Sequence, residues 1–162
     1  MNDNDDLLPV LLAQEQRLVF SRFDVDTAWE LGCLLRDEAL AAQLPVAISI
    51  RRGGQCLFHA ALAGSSADND GWLLRKARVV ERYSHSSYYV GCQFRAAGGD
   101  FDTDSRLDPG VFAAHGGAFP VTLSTSGCIG TVAVSGLPQI EDHRFVVSHL
   151  ERFLINTGQI AE

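Results

Sequence analysis

The sequence has no Cys-x-x-Cys pair, no His-x-x-x-His pair and no Gly-x-Ser-x-Gly elbow. Those gaps argue against a redox dithiol, a helical zinc site and an α/β-hydrolase nucleophile. No apolar run approaches the roughly 18 residues that a membrane-spanning helix needs. The start, Met-Asn-Asp-Asn-Asp-Asp, is the opposite of the basic region that opens a signal peptide, so a cytoplasmic home and no membrane partner are expected. Positive charge is also scarce: 13 Lys and Arg face 20 Asp and Glu, for a net charge of −7. Such a chain offers no broad cationic field to phosphates, which argues against nucleic acid. The four cysteines at 33, 56, 92 and 128 are widely spaced, and reduced, buried thiols are expected.

What is present is an ordinary globular composition, 46% hydrophobic and 20% charged over 162 residues. That is enough chain to bury a core without metals or disulfides, and residues 1–162 are expected to form a single soluble domain. Residues 1–15 read as a flexible N-terminal segment in which Leu7 to Leu12 can form a helical turn, and Leu18-Val19-Phe20 reads as a strand or an extended lead-in. Thr27-x-x-Glu30 has capping-box spacing and predicts a helix from Thr27 to about Ala42, before Pro45. Val46 to Ile50 and Cys56 to Ala60 flank Gly53-Gly54, the pattern of a tight hairpin. Asn69 or Asp70 can cap a helix through Val80, and Ser86 or Ser87 a second one ended by Gly98-Gly99. Asp100 to Gly117 is a long connection. Val121 to Leu123 and Ile129 to Val134 form a second hairpin around Ser126-Gly127, and Pro138 opens a closing helix that runs to Gly158. The order is helix, hairpin, two helices, hairpin, helix. It predicts an α/β chain of the α+β type, with an antiparallel or mixed sheet and helices packed on it.

Three stretches carry a family resemblance: Asn69-Asp70-Gly71-Trp72-Leu73-Leu74-Arg75-Lys76 with Ser86-Ser87, then Ala114-His115-Gly116-Gly117-Ala118-Phe119-Pro120, and Val134-Ser135-Gly136-Leu137-Pro138-Gln139 with Asp142-His143. Taken in this order, they resemble the uncharacterised UPF-type branch of the GlcG/HbpS-like haem-degrading family, over about Phe23 to Leu154. The resemblance implies a profilin-like core, a roughly five-stranded antiparallel sheet flanked by helices, and assembly into homo-oligomers. It also implies haem as a cofactor to consider, since some members bind or degrade it. The lysine-bearing helix and the Gly-Gly-x-x-Pro segment match, but no set of axial iron ligands comes across.

Among the residues themselves, Lys76 stands out because its spacing from Trp72, Val79 and Val80 sets an ammonium beside an apolar helix stripe. It reads as an anchor for a ligand carboxylate or phosphate, or as a structural salt bridge or snorkelling side chain. Arg75 is adjacent and the weaker candidate. His115 precedes Gly116-Gly117, where small residues let backbone approach a ligand closely, or merely shape the entry to the next strand. Trp72, with Tyr88 or Tyr89, would supply apolar walls. Asp142-His143 does not read as an acid/base dyad, because neighbours on a helix diverge; a satisfied, partly buried histidine is expected. Asp100-x-Asp102-x-Asp104 lacks the glycine and glutamate of a calcium loop, so no metal is expected. Two functions follow. One is an oligomeric small-molecule binding protein, with haem as a ligand and an auxiliary degradative role. The other is a non-catalytic interaction module with a protein partner.

Overall fold

The computed structural model describes residues 3–162, with side chains from Asp6 onward. Its elements are α1 (Asp3–Arg17), α2 (Val25–Ala41), β1 (Ala47–Arg52), β2 (Gln55–Ala61), α3 (Ala67–Tyr83), α4 (Ser87–Ala96), α5 (Phe101–Asp104), β3 (Ala118–Leu123), β4 (Gly127–Ser135) and α6 (Gln139–Asn156). The helical turn expected around Leu7 is part of a 15-residue helix, and the long connection after Gly99 carries the short α5.

The strands pair antiparallel in the order β2-β1-β4-β3, so the sheet has four strands among the described residues and not about five. The segment that could have been a fifth, Leu18 to Phe20, makes one isolated parallel bridge to Leu123. Phe20 N–H donates to the Thr122 carbonyl at 2.8 Å, and its own carbonyl accepts from Ser124 N–H at 3.0 Å. Pairing stops there because Asp24 already caps α2, four residues on.

The first hairpin turns through Gly53 (φ 52°) and Gly54 (φ 83°), consecutive left-handed positions of the kind a two-residue primed turn requires. The starts of α2 and α3 differ from the sequence reading in a consistent way. Asp24, not Thr27, caps α2: its carboxylate accepts from Thr27 N–H at 2.8 Å, so Thr27 is the third residue of the box. Likewise Ser66 precedes α3, and Asn69 Oδ1 accepts from Ser66 N–H at 2.9 Å. Ser86 caps α4 through Tyr89 N–H.

Alternation along the strands sorts the two sheet faces. Ile48, Ile50, Val132 and Val134 face the main core, where Leu31 and Leu35 of α2 and Leu150 and Leu154 of α6 pack on them. The opposite face is built of small residues, Ala47, Ala118 and Ala133, under Leu73 and Val80 of α3. Because those side chains are short, α3 lies close enough to the sheet for a long side chain to reach strand carbonyls. α1 packs on α4 through Leu11, Tyr88 and Cys92. All four cysteines are free, but only Cys92 is buried; Cys33 and Cys128 are half-buried and Cys56 is exposed on the edge strand, correcting the expectation of buried thiols. No helix among the described residues is long and apolar enough to cross a membrane.

Candidate functional site

Lys76 is the chain's one lysine, and it is 2% exposed. It leaves α3 toward the sheet, and its ammonium donates to the Val134 carbonyl at 2.6 Å, the Gly116 carbonyl at 3.0 Å and Asp142 Oδ2 at 3.3 Å. An ammonium has three hydrogens, so all of them are committed. The anchoring role for an external anion that spacing suggested is therefore filled from within, by a strand, a loop and a helix. Asp142 completes the arrangement: its Oδ1 accepts from Leu137 N–H at 3.1 Å while Oδ2 faces Lys76. Burial pushes the ammonium below its ordinary value and the carboxyl above its own, and their mutual attraction opposes both shifts.

The paired glycines serve this bridge. Gly117 has φ +130°, and a Cβ there would strike the Lys76 ammonium and the Val134 carbonyl. At Gly116 a Cβ would strike the Gln139 carbonyl at the start of α6. Close approach is what the glycines permit, as the sequence suggested, but the approaching groups are the protein's own lysine and helix.

Beside the bridge lies a cleft of about 250 Å³ between α3, the His115 loop and the start of α6. Lys76, Trp72 and His115 all line it, so residues forty positions apart meet here as expected. The His115 ring stands edge-on to Trp72 with centroids 5.1 Å apart, and the Arg75 guanidinium lies over the same indole at 4.0 Å. Partial desolvation lowers the His115 pKa, against the pull of Asp102 and with help from Lys76, Arg95 and Arg75, so the exposed ring is neutral at pH 7. Asn69, Ser135, Gly136, Leu137, Gln139 and Asp142 supply the remaining walls. None of these six was singled out from the sequence as a site residue, although all six belong to the stretches that carry the family resemblance. Tyr88 and Tyr89 do not line the cleft. Tyr88 is buried against His143 with ring centroids 5.1 Å apart, and Tyr89 stacks on His85.

His143 is more buried than expected, 3% exposed, and only half satisfied. Its Nε2 bonds Gln14 Oε1 of α1 at 2.9 Å, while Nδ1 has no partner. Desolvation pushes its pKa down to about 4. Among the described residues, no group of three or more His, Cys, Asp or Glu side chains is arranged to hold a metal ion.

Comparison with known proteins follows the same lines. The family model described as "Haem degrading protein HbpS-like" matches residues 23–151. A UPF0303 protein of Streptomyces avermitilis is 59% identical over 147 residues, covering 91% of this chain and 90% of the relative. The crystal structure of the Ybr137w protein superposes with a TM-score of 0.85 at 32% identity, covering 97% of this chain and 98% of that one. A PduOC:heme complex shares the fold, with a TM-score of 0.66 at 16% identity, covering 81% and 94% of the two chains. With a family match across residues 23–151 and close identity to a UPF0303 protein over nine-tenths of its length, this chain belongs to the HbpS-like family, in its UPF0303 branch.

Proposed function

We propose that this protein binds a small polar molecule in the cleft between α3, the His115 loop and the start of α6. The observation that carries the reading is the buried Lys76–Asp142 bridge, which ties three separate segments together at 2.6 to 3.3 Å directly behind the cleft. A buried ion pair is a poor source of stability, because desolvation offsets much of the attraction. Its use here is to hold the walls of a site in fixed register. Polar groups converging in a concavity that also holds an apolar wall are the usual composition of a ligand site.

The family name and the PduOC:heme complex raise haem as the ligand. The cleft of one protomer fits it poorly. At about 250 Å³ it lies below even the range of about 300 to 1,000 Å³ typical of drug-sized ligands. Asn69, Ser135, Gln139 and Asp142 make its walls polar where a macrocycle requires apolar faces. His115 is the one imidazole in the lining that could reach an iron. Native mass spectrometry of the freshly purified protein, followed by thermal-shift assays with haem, flavins, nucleotides and small organic acids, tests the reading. We expect a retained or added small molecule whose stabilisation is lost in Trp72→Ala. A flat response to every class would overturn it.

A second reading, an oligomeric interaction module, is supported by a different surface. Val25, Trp29 and Leu40 are 52%, 60% and 53% exposed on one side of α2. On this reading Trp29→Asp shifts the native mass spectrum toward smaller assemblies, whereas the cleft reading leaves it unchanged.

A further inference from the structure

Hydrogen bonding at the rim of the cleft fixes which way its two amide side chains present themselves. Asn69 Oδ1 is occupied by Ser66 N–H at 2.9 Å, and Gln139 Oε1 by Gly116 N–H at 3.1 Å. Each amide therefore has its oxygen consumed by backbone, and each NH₂ has no protein partner among the described residues. The Trp72 indole N–H, a donor only, likewise has no partner among the described residues. The one carboxylate in the lining, Asp142, has both oxygens engaged, by Leu137 N–H and by Lys76. Apart from the Ser135 hydroxyl, which can donate or accept, and one nitrogen of the neutral His115 ring, the side chains thus offer donors and withhold acceptors. Arg75, which makes no ion pair with a carboxylate among the described residues, is held over Trp72 at 4.0 Å.

We infer that the ligand of this cleft is a small organic carboxylate, its two oxygens taken by the NH₂ groups of Asn69 and Gln139 and its carbon body resting on Trp72. The inference rests on the cleft being a ligand site and adds the chemical class. Two amide donors suit a planar, singly charged group. A phosphate dianion would need a second cation, and Lys76 is already neutralised by Asp142. An amine would find no free carboxylate in the lining.

The test uses benzoate, benzylamine and phenyl phosphate, which share a ring and differ in the charged group. Binding is read in a Trp29→Phe background, so that Trp72 fluorescence reports alone, and by the side-chain NH₂ resonances of Asn69 and Gln139. Benzoate is expected to quench Trp72 and move both NH₂ pairs, phenyl phosphate to bind more weakly and benzylamine to do neither. Asn69→Asp and Gln139→Glu keep the oxygen that backbone already uses, and an acid in a helix's first turn is favourable, so both variants should fold. Each replaces a donor by a charged acceptor and should weaken benzoate by about tenfold or more. Benzylamine binding in preference to benzoate would overturn the carboxylate assignment and leave the cleft as a ligand site. Benzoate affinity indifferent to both substitutions would overturn the assigned anchors, and silence from all three probes would overturn the inference itself. The retained-ligand mass spectrum then decides separately whether the cleft is a site at all.

Discussion

A single lysine, buried and fully hydrogen-bonded, sets the energetics of this protein's interior. Removing one member of a buried pair leaves the other charged and unpaired, at a cost of about 3 to 5 kcal/mol. Lys76→Met should therefore lower the urea midpoint sharply. Adding Asp142→Asn should recover part of the loss, so that the double variant is less unstable than the sum of the singles. His143 acts on the pH axis. Its folded pKa of about 4 lies below the ordinary 6.5, so the folded state binds this proton less readily than the unfolded chain. Its contribution is present above about pH 6.5 and is lost as the pH falls through about 4, roughly 3 kcal/mol in all. Denaturant titrations from pH 7 to pH 4 should show that slope, and His143→Phe should flatten it.

At the scale of elements, the loop from Ala114 to Gly117 is shaped by what it must let past. Gly117→Ala meets both a disallowed φ and the Lys76 ammonium, and should cost at least about 2 kcal/mol. Gly98→Ala, at φ +79° with open space around it, should cost clearly less in the same thermal melts. Both hairpins, α3, α4 and α6 were legible in the sequence, because period-2 and period-3.6 patterns report directly on one buried face. The starts of α2 and α3 were displaced by a few residues. Asp24 and Ser66 look like any other polar residue until their bond to the third residue of the helix is seen. The resemblance implied about five strands where the described residues form four, and the apolar, extended Leu18 to Phe20 segment pairs through one bridge only.

Across the whole molecule, α1 closes one side. Leu11 packs on Tyr88 and Cys92, Gln14 holds His143, and Glu15 accepts from Ser86 N–H at 2.7 Å while pairing with His85. Deleting residues 1–17 should therefore expose Cys92. Thiol titration under native conditions is expected to show slow labelling of Cys92 in the full chain and fast labelling in the truncated one; equal rates would show that α1 is not the cover.

By itself the sequence determined an α+β architecture with an antiparallel or mixed sheet, since hairpin turns and hydrophobic periodicity are local and the chain carries them in plain order. It also marked Trp72, Lys76 and His115 as residues of interest, through their setting and through family resemblance. Only the tertiary structure decided what they do. Asp142, Val134 and Gly116 lie 66, 58 and 40 positions from Lys76, and no local pattern encodes that they converge on its three hydrogens. That convergence turned the expected anchor into a brace. Whether an amide turns its oxygen or its NH₂ group toward backbone is a property of packing alone.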